Sequence, residues 1–274
     1  MMEVSTITGQ VRNHFGYSAV LGNGRRVDVY LPPGYESHPE RRYPVLYVND
    51  GQNVFDSDRA FLGREWELDE TAERLIRARQ MQDAILVGVD NTPDRKDEYT
   101  PVFDPGEGRG GRVDAYGDFL VNELKPFIDA NYRTLPDSAH TGIMGSSLGG
   151  LCALYLGWTR PETFGMVGAL SPSLWWAGRY LSAFVRESPQ QHGPQRIWID
   201  MGDQEMTRDT NPANGVPDGL DHLRELKTAL TDKGYVPGRD LFYREVAGGE
   251  HDETWWRARS SDVLTALYPP VCAA

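Results

Sequence analysis

A serine flanked two positions away on each side by glycine stands in Gly145-Ser146-Ser147-Leu148-Gly149-Gly150, directly after the apolar run Thr141-Gly142-Ile143-Met144. That spacing fits a nucleophile elbow, a sharp turn from strand to helix that holds a serine hydroxyl above a sheet. Positions two before and two after the serine pass close to neighbouring backbone, so the glycines select Ser147 over Ser146. A helix expected over 148–158 would aim its first amides at the same point, where they can hydrogen-bond an oxyanion. A turn that merely packs a helix on a sheet would show the same glycines. A phosphate cradle would need a lysine after them, and this segment has none.

A serine at such a turn needs a base and an acid, expected in the order serine, acid, histidine on loops at the carboxyl ends of strands. The strand-like run 195–201 ends in Gly202-Asp203-Gln204-Glu205. Glu205, three residues past the glycine, is expected to face the histidine, with Asp203 as the alternative. Asp200 reads as a strand residue pairing locally, and Asp209 lies farther out. A second strand-like run, 240–246, leads through Gly248-Gly249-Glu250 to His251, where the glycines let the loop bend back to the sheet edge. His14, His38, His140, His192 and His222 lack that context. His251 could take the Ser147 proton and return it to a leaving group, while the carboxylate fixes its tautomer. One oxyanion donor is expected from the Leu148 amide. The other is assigned to Gln52, with Gly51 next, in the break 49–53 after the strand-like run 43–48, where the glycine would permit an unusual backbone.

The elements that must position these groups alternate along the chain. Residues 26–31 alternate after the turn 21–24 and suggest an N-terminal antiparallel hairpin with 8–19. Residues 84–89 read as a buried strand. Helical spacing runs over 67–80 and over 115–132, where Phe119, Leu120, Leu124 and Phe127 share a face. The pattern predicts an α/β fold with a mainly parallel sheet covered on both faces, one domain over 1–274. The irregular stretch 91–112 leaves a strand's carboxyl end and is expected to reach over Ser147 as an active-site loop. Within it Arg95, Glu98 and Tyr99 either touch substrate or form an ion pair that orders the loop. Among seven tryptophans, Trp66, Trp175, Trp176, Trp255 and Trp256 are expected near the rim or just behind it. Trp66 and Trp176 are candidates for substrate contact, and Trp255 and Trp256 for packing the His251 loop.

The net charge of −12, from 28 basic and 40 acidic residues, disfavours nucleic acid as a partner. Cys152 and Cys272 alone cannot make a disulfide framework, and no histidine pair has metal-ligand spacing, so no metal and no cofactor is expected. The first ten residues lack a signal-peptide pattern and no apolar run nears a membrane span, so a cytoplasmic protein without membrane association is the default.

Taken together, residues 43–47 leading to Asp50-Gly51-Gln52-Asn53, the Ser147 elbow, Ser171-Pro172-Ser173-Leu174-Trp175-Trp176, and Gly248-Gly249-Glu250-His251 with Trp255 and Trp256 behind it carry a resemblance. The chain resembles the esterase family of α/β-hydrolases that includes enterochelin-esterase-like proteins, esterase D, feruloyl and acetyl-xylan esterases and the antigen 85 acyltransferases. The resemblance spans nearly the whole chain, so the separate N-terminal domain of some enterochelin esterases is not expected in it. It implies an α/β-hydrolase fold and carries the family's serine, histidine and acid onto Ser147, His251 and Glu205, where many relatives have aspartate. The expected activity is hydrolysis of a small-molecule carboxylic ester of siderophore, feruloyl, acetyl or short-chain type. Acyl transfer by the same triad and a non-catalytic binding protein on the same scaffold are the alternatives.

Overall fold

The computed structural model describes residues 5–189, 193, 195–205, 210 and 212–270. Asp209, His192 and Cys272 lie outside them. The alternating N-terminal segment forms β1 (Gln10–Ser18) and β2 (Asn23–Leu31), an antiparallel hairpin with Gln10 opposite Leu31 and Ser18 opposite Asn23. Next come β3 (Val45–Asn49) and β4 (Ile85–Val89), then a two-stranded ribbon of β5 (Phe103–Asp104) and β6 (Arg109–Gly110). β7 (Thr141–Ser146), β8 (Met166–Leu170), β9 (Arg196–Gly202) and β10 (Leu241–Val246) complete an eight-stranded sheet in the order β1-β2-β4-β3-β7-β8-β9-β10. β2 runs antiparallel to both β1 and β4, and the other pairings are parallel. Every residue of β3, β4, β7 and β8 is buried, which is why these strands read as continuous apolar runs without alternation.

Helices cover both faces. On one, α5 (Leu148–Thr159) packs on β7 and β8, and α7 (Asp218–Asp232) packs on β9 and on α6 (Trp176–Glu187). On the other, α1 (Leu68–Arg77) packs on α8 (Glu253–Leu267), which lies against β8 and β9. Each face has its own apolar cluster, one including Leu151, Leu223 and Ile199 and the other including Leu75, Val263 and Leu264. The helix expected over 115–132 is α3 (Val113–Phe119) and α4 (Lys125–Asn131) joined by a π-helical turn at Leu120–Leu124. The wider turn rotates α4 relative to α3, so Ile128 falls on the buried stripe and Phe127 is 39% exposed, against the expected shared face. Residues 91–112 hold the short α2 (Arg95–Glu98) and the β5–β6 ribbon. Among the described residues no helix is long and apolar enough to cross a membrane.

Candidate active site

Parallel pairing brings the carboxyl ends of β3, β7, β8, β9 and β10 to one edge of the sheet, and the candidate residues sit on the segments leaving them. Between β7 and α5, Ser147 has φ 54° and ψ −123°, a strained backbone for a residue with a side chain. The turn closes because Gly145 passes against Gly149; a Cβ on Gly145 would lie 2.5 Å from the Gly149 carbonyl carbon. Ser147 N–H donates to Leu170 O at 3.0 Å, and its carbonyl accepts from the Leu151 and Ser173 amides at 3.1 and 2.9 Å. Leu148 opens α5, so its N–H is among the first four of the helix, which have no intrahelical acceptor.

Ser147 Oγ lies 2.9 Å from His251 Nε2, and His251 Nδ1 lies 2.9 Å from Glu205 Oε2. The three side chains thus form one line of hydrogen-bonding groups, with the imidazole partly open to solvent and Glu205 almost fully enclosed. The loops carrying the acid and the histidine meet at two glycines: a Cβ on Gly202 would stand 2.2 Å from Gly249 O. Asp203, the alternative acid, points elsewhere and accepts from Gly248 N–H at 2.8 Å, tying the loops together. Asp200 is a buried strand residue, as its position in the run implies, accepting from Trp198 Nε1 at 2.7 Å.

Behind Glu205 lies a polar cluster that residue-by-residue reading missed. Glu205 Oε1 accepts from Ser171 Oγ at 2.6 Å and from Gly202 N–H at 2.5 Å. The Ser171 hydroxyl in turn accepts from Trp256 Nε1 at 3.0 Å and Arg259 Nη2 at 2.8 Å. Arg259 pairs with Asp200 at 3.3 Å, and both are buried. Burial pushes the Asp200 carboxyl up to about 6, with Arg259 pulling the other way. The signal in the sequence is an arginine at the spacing of Trp256, Val263 and Leu267 on an otherwise apolar stripe of α8.

On the other side of Ser147 is the 49–53 turn. Its unusual backbone belongs to Asp50, at φ 59°, and not to the glycine as expected. Gly51 is needed for close approach: a Cβ there would lie 2.4 Å from Gly88 and Val89 backbone. The 91–112 segment holds Asp50 in place. Arg95 Nε and Nη2 donate to the Asp50 carboxylate at 2.6 and 2.7 Å, Asn91 Nδ2 donates at 2.6 Å, and Asp50 N–H donates to Tyr99 Oη at 3.2 Å. Glu98 pairs with buried Arg25 at 2.9 Å. Asn49 Nδ2 donates to Gly149 O at 2.9 Å, linking this turn to the start of α5.

A cavity of about 370 Å³ opens over Ser147 and His251, lined also by Gln52, Phe61, Asn91, Arg95 and Trp256. Two expected substrate contacts are corrected. Trp66 and Trp176 are each only 1% exposed. Trp66 is a core residue packed behind Trp256, ring centroids 5.9 Å apart and planes tilted by 58°. Trp176 donates to Val102 O at 2.8 Å and pins the 91–112 segment from below. A tryptophan has so much apolar surface that its burial is the ordinary outcome. Trp256 meets His251 edge to face at 5.1 Å, packing the histidine loop as expected. Glu253, not singled out in the sequence, also lines the cavity, and burial raises its carboxyl pKa.

The family model described as "Putative esterase" matches residues 18–266. The chain belongs to this esterase family. The esterase is 28% identical over 249 residues to the uncharacterized protein YbbA of Bacillus subtilis, covering 89% of this chain and 92% of that protein. It is also 28% identical over 260 residues to an iron(III) salmochelin esterase of Escherichia coli, covering 90% of this chain but 55% of the relative. Among solved structures, the enterobactin esterase of Shigella flexneri matches with a TM-score of 0.76 and 22% identity, over 96% of this chain and 60% of the other. The esterase is therefore an ester hydrolase with the α/β-hydrolase fold expected from its sequence.

Proposed function

We propose that this esterase cleaves small-molecule carboxylic esters through an acyl-enzyme on Ser147. His251 removes the Ser147 proton as the Oγ–carbonyl bond forms, and the amides of Gln52 and Leu148 hold the oxyanion. The alcohol leaves with the proton from His251. Water then attacks the acyl-enzyme by the same route, and Glu205 stabilises the imidazolium in both halves. The observation that carries this reading is the line Ser147–His251–Glu205, with 2.9 Å at each step, opening into a cavity.

The cavity's size suits one acyl group, with the rest of a larger ester outside it beyond the exposed Phe61. Polar Gln52 and Asn91 and the aromatic Trp256 favour an aryl or short acyl group over a long alkyl chain. Siderophore-type esters that carry an aryl group, in keeping with the salmochelin esterase relative, and feruloyl esters meet that description. The test is a panel of aryl esters of rising chain length, methyl ferulate, acetylated sugars and a catecholate lactone, with and without glycerol as acceptor. Saturable release of free acid that disappears in Ser147→Ala is expected. Unchanged turnover in that variant would require another nucleophile, and diversion of product to glycerol esters would make acyl transfer the reaction.

A further inference from the structure

We propose that Glu65, Asp69 and Glu70 bind a hard divalent cation, Ca²⁺, where the N-terminal segment meets the start of α1. One carboxylate oxygen from each of the three lies within 4.8 Å of the other two. Glu65 and Asp69 are 5% and 0% exposed, and Glu70 is half-buried. Each acid uses one oxygen on the segment before β1. Thr6 Oγ1 donates to Glu65 Oε1, Thr8 N–H donates to Asp69 Oδ2 at 2.7 Å, and Thr8 Oγ1 donates to Glu70 Oε1 at 3.4 Å.

A second observation points to a ligand. The other oxygen of each acid, Glu65 Oε2, Asp69 Oδ1 and Glu70 Oε2, is out of reach of solvent and has no hydrogen-bond partner. Buried polar groups are ordinarily satisfied, and three orphaned carboxylate oxygens in one corner are an exception that needs a cause. The arginines nearby are committed elsewhere, Arg64 to Asp252 at 3.5 Å and Arg257 to Glu67 at 2.7 Å. Among the described residues no lysine or arginine forms an ion pair with any of the three acids. Ionised carboxylates without a counter-charge do not persist in such a site.

A proton is the rival occupant, and burial among like charges does push the Asp69 carboxyl up to about 9. One added proton, shared in a hydrogen bond between Asp69 and Glu70, still leaves the Glu65 oxygen unpaired. A cation meets all three at once. The donors are all oxygen, drawn from an irregular segment and the first turn of a helix. That suits Ca²⁺, which accepts six to eight oxygens in flexible geometry, better than Mg²⁺, which demands a near-ideal octahedron, or Zn²⁺, which favours nitrogen and sulfur. Bound there, Ca²⁺ would fasten residues 6–8 to α1 as a structural clamp.

The test uses the full chain stripped with EDTA and moved into chelator-free buffer at constant ionic strength. CaCl₂, MgCl₂ and ZnCl₂ are titrated separately by calorimetry, with thermal melts alongside. The expected result is uptake of one Ca²⁺ per chain, saturating by about 1 mM, with a rise in Tm of several degrees. Asp69→Asn, and separately Glu70→Gln should the first fail to fold, removes the Ca²⁺ increment while ester hydrolysis persists. Absence of saturable uptake, an equal Ca²⁺ increment in the variants, or tighter binding of Zn²⁺ or Mg²⁺ would overturn the proposal.

Discussion

Glu205 and Asp69 are both acids enclosed by protein, and the molecule treats them in opposite ways. Glu205 receives donors at both oxygens, from Ser171 and Gly202 on one and facing His251 on the other. Asp69 receives one from Thr8, and its second oxygen has none. A buried carboxylate whose lone pairs are filled from fixed directions keeps its orientation, as a histidine partner needs. One left half-satisfied among like charges is driven toward its protonated form or toward a cation. Glu245 is the exposed counterpart to both. Arg224 donates to its two oxygens at 2.8 and 2.7 Å, and that pairing brings its carboxyl down to about 2.

The contrast can be broken from the strong end downward. Ser147→Ala should cost on the order of 10⁵-fold or more in kcat on an aryl ester, with the folded state intact by circular dichroism. Glu205→Gln keeps the shape but loses the charge that orients His251, and a fall of about 10⁴-fold is expected. Asp203→Asn in the same assay should stay within about threefold, because its partner is the Gly248 amide. A reversal of those two would move the acid role to Asp203. Ser171→Ala removes one of the two donors to Glu205 Oε1 and strands the Trp256 and Arg259 donors behind it. A tenfold fall in kcat, about 1.4 kcal/mol, is expected with KM unchanged, and kcat should fall too for Trp256→Phe, which deletes the indole N–H along with part of the ring packed on His251. A change confined to KM would place these residues in substrate binding. Glu245→Gln is the smallest, costing less than about 1 kcal/mol of stability at pH 7 because the pair is solvent-screened. Its folded pKa lies below the unfolded value, so the stabilisation is present above about pH 4.5 and is lost as pH falls through about 2. Denaturant melts of both proteins across that range should converge at the acid end.

Apart from β8, which the sequence reading did not single out, the sheet was legible because its central strands are buried on both faces and bounded by glycine-rich turns, so composition and punctuation agree. Ser147, Glu205 and His251 could be named because close backbone approach admits only glycine around them, and that constraint is written as residue type. What decides Trp66 and Trp176 is not written that way. An indole on a segment near the sheet's carboxyl edge can face the cavity or the core, and the choice is made by α8 and the 91–112 segment packing against it. The Ser171–Arg259 contact joins residues 88 positions apart, and neither end has a local signature of its partner. The π-helical turn at Leu120–Leu124 likewise breaks a periodicity that looked regular in the sequence.

The most direct test of the account is to trap the acyl-enzyme. Mixing the esterase with a slowly deacylating aryl ester, quenching in acid and weighing the intact chain should give one added acyl group, which peptide mapping assigns to Ser147 and which Ser147→Ala does not acquire. An adduct on another residue, or full turnover with no covalent species and no initial burst of aryl alcohol, would contradict it.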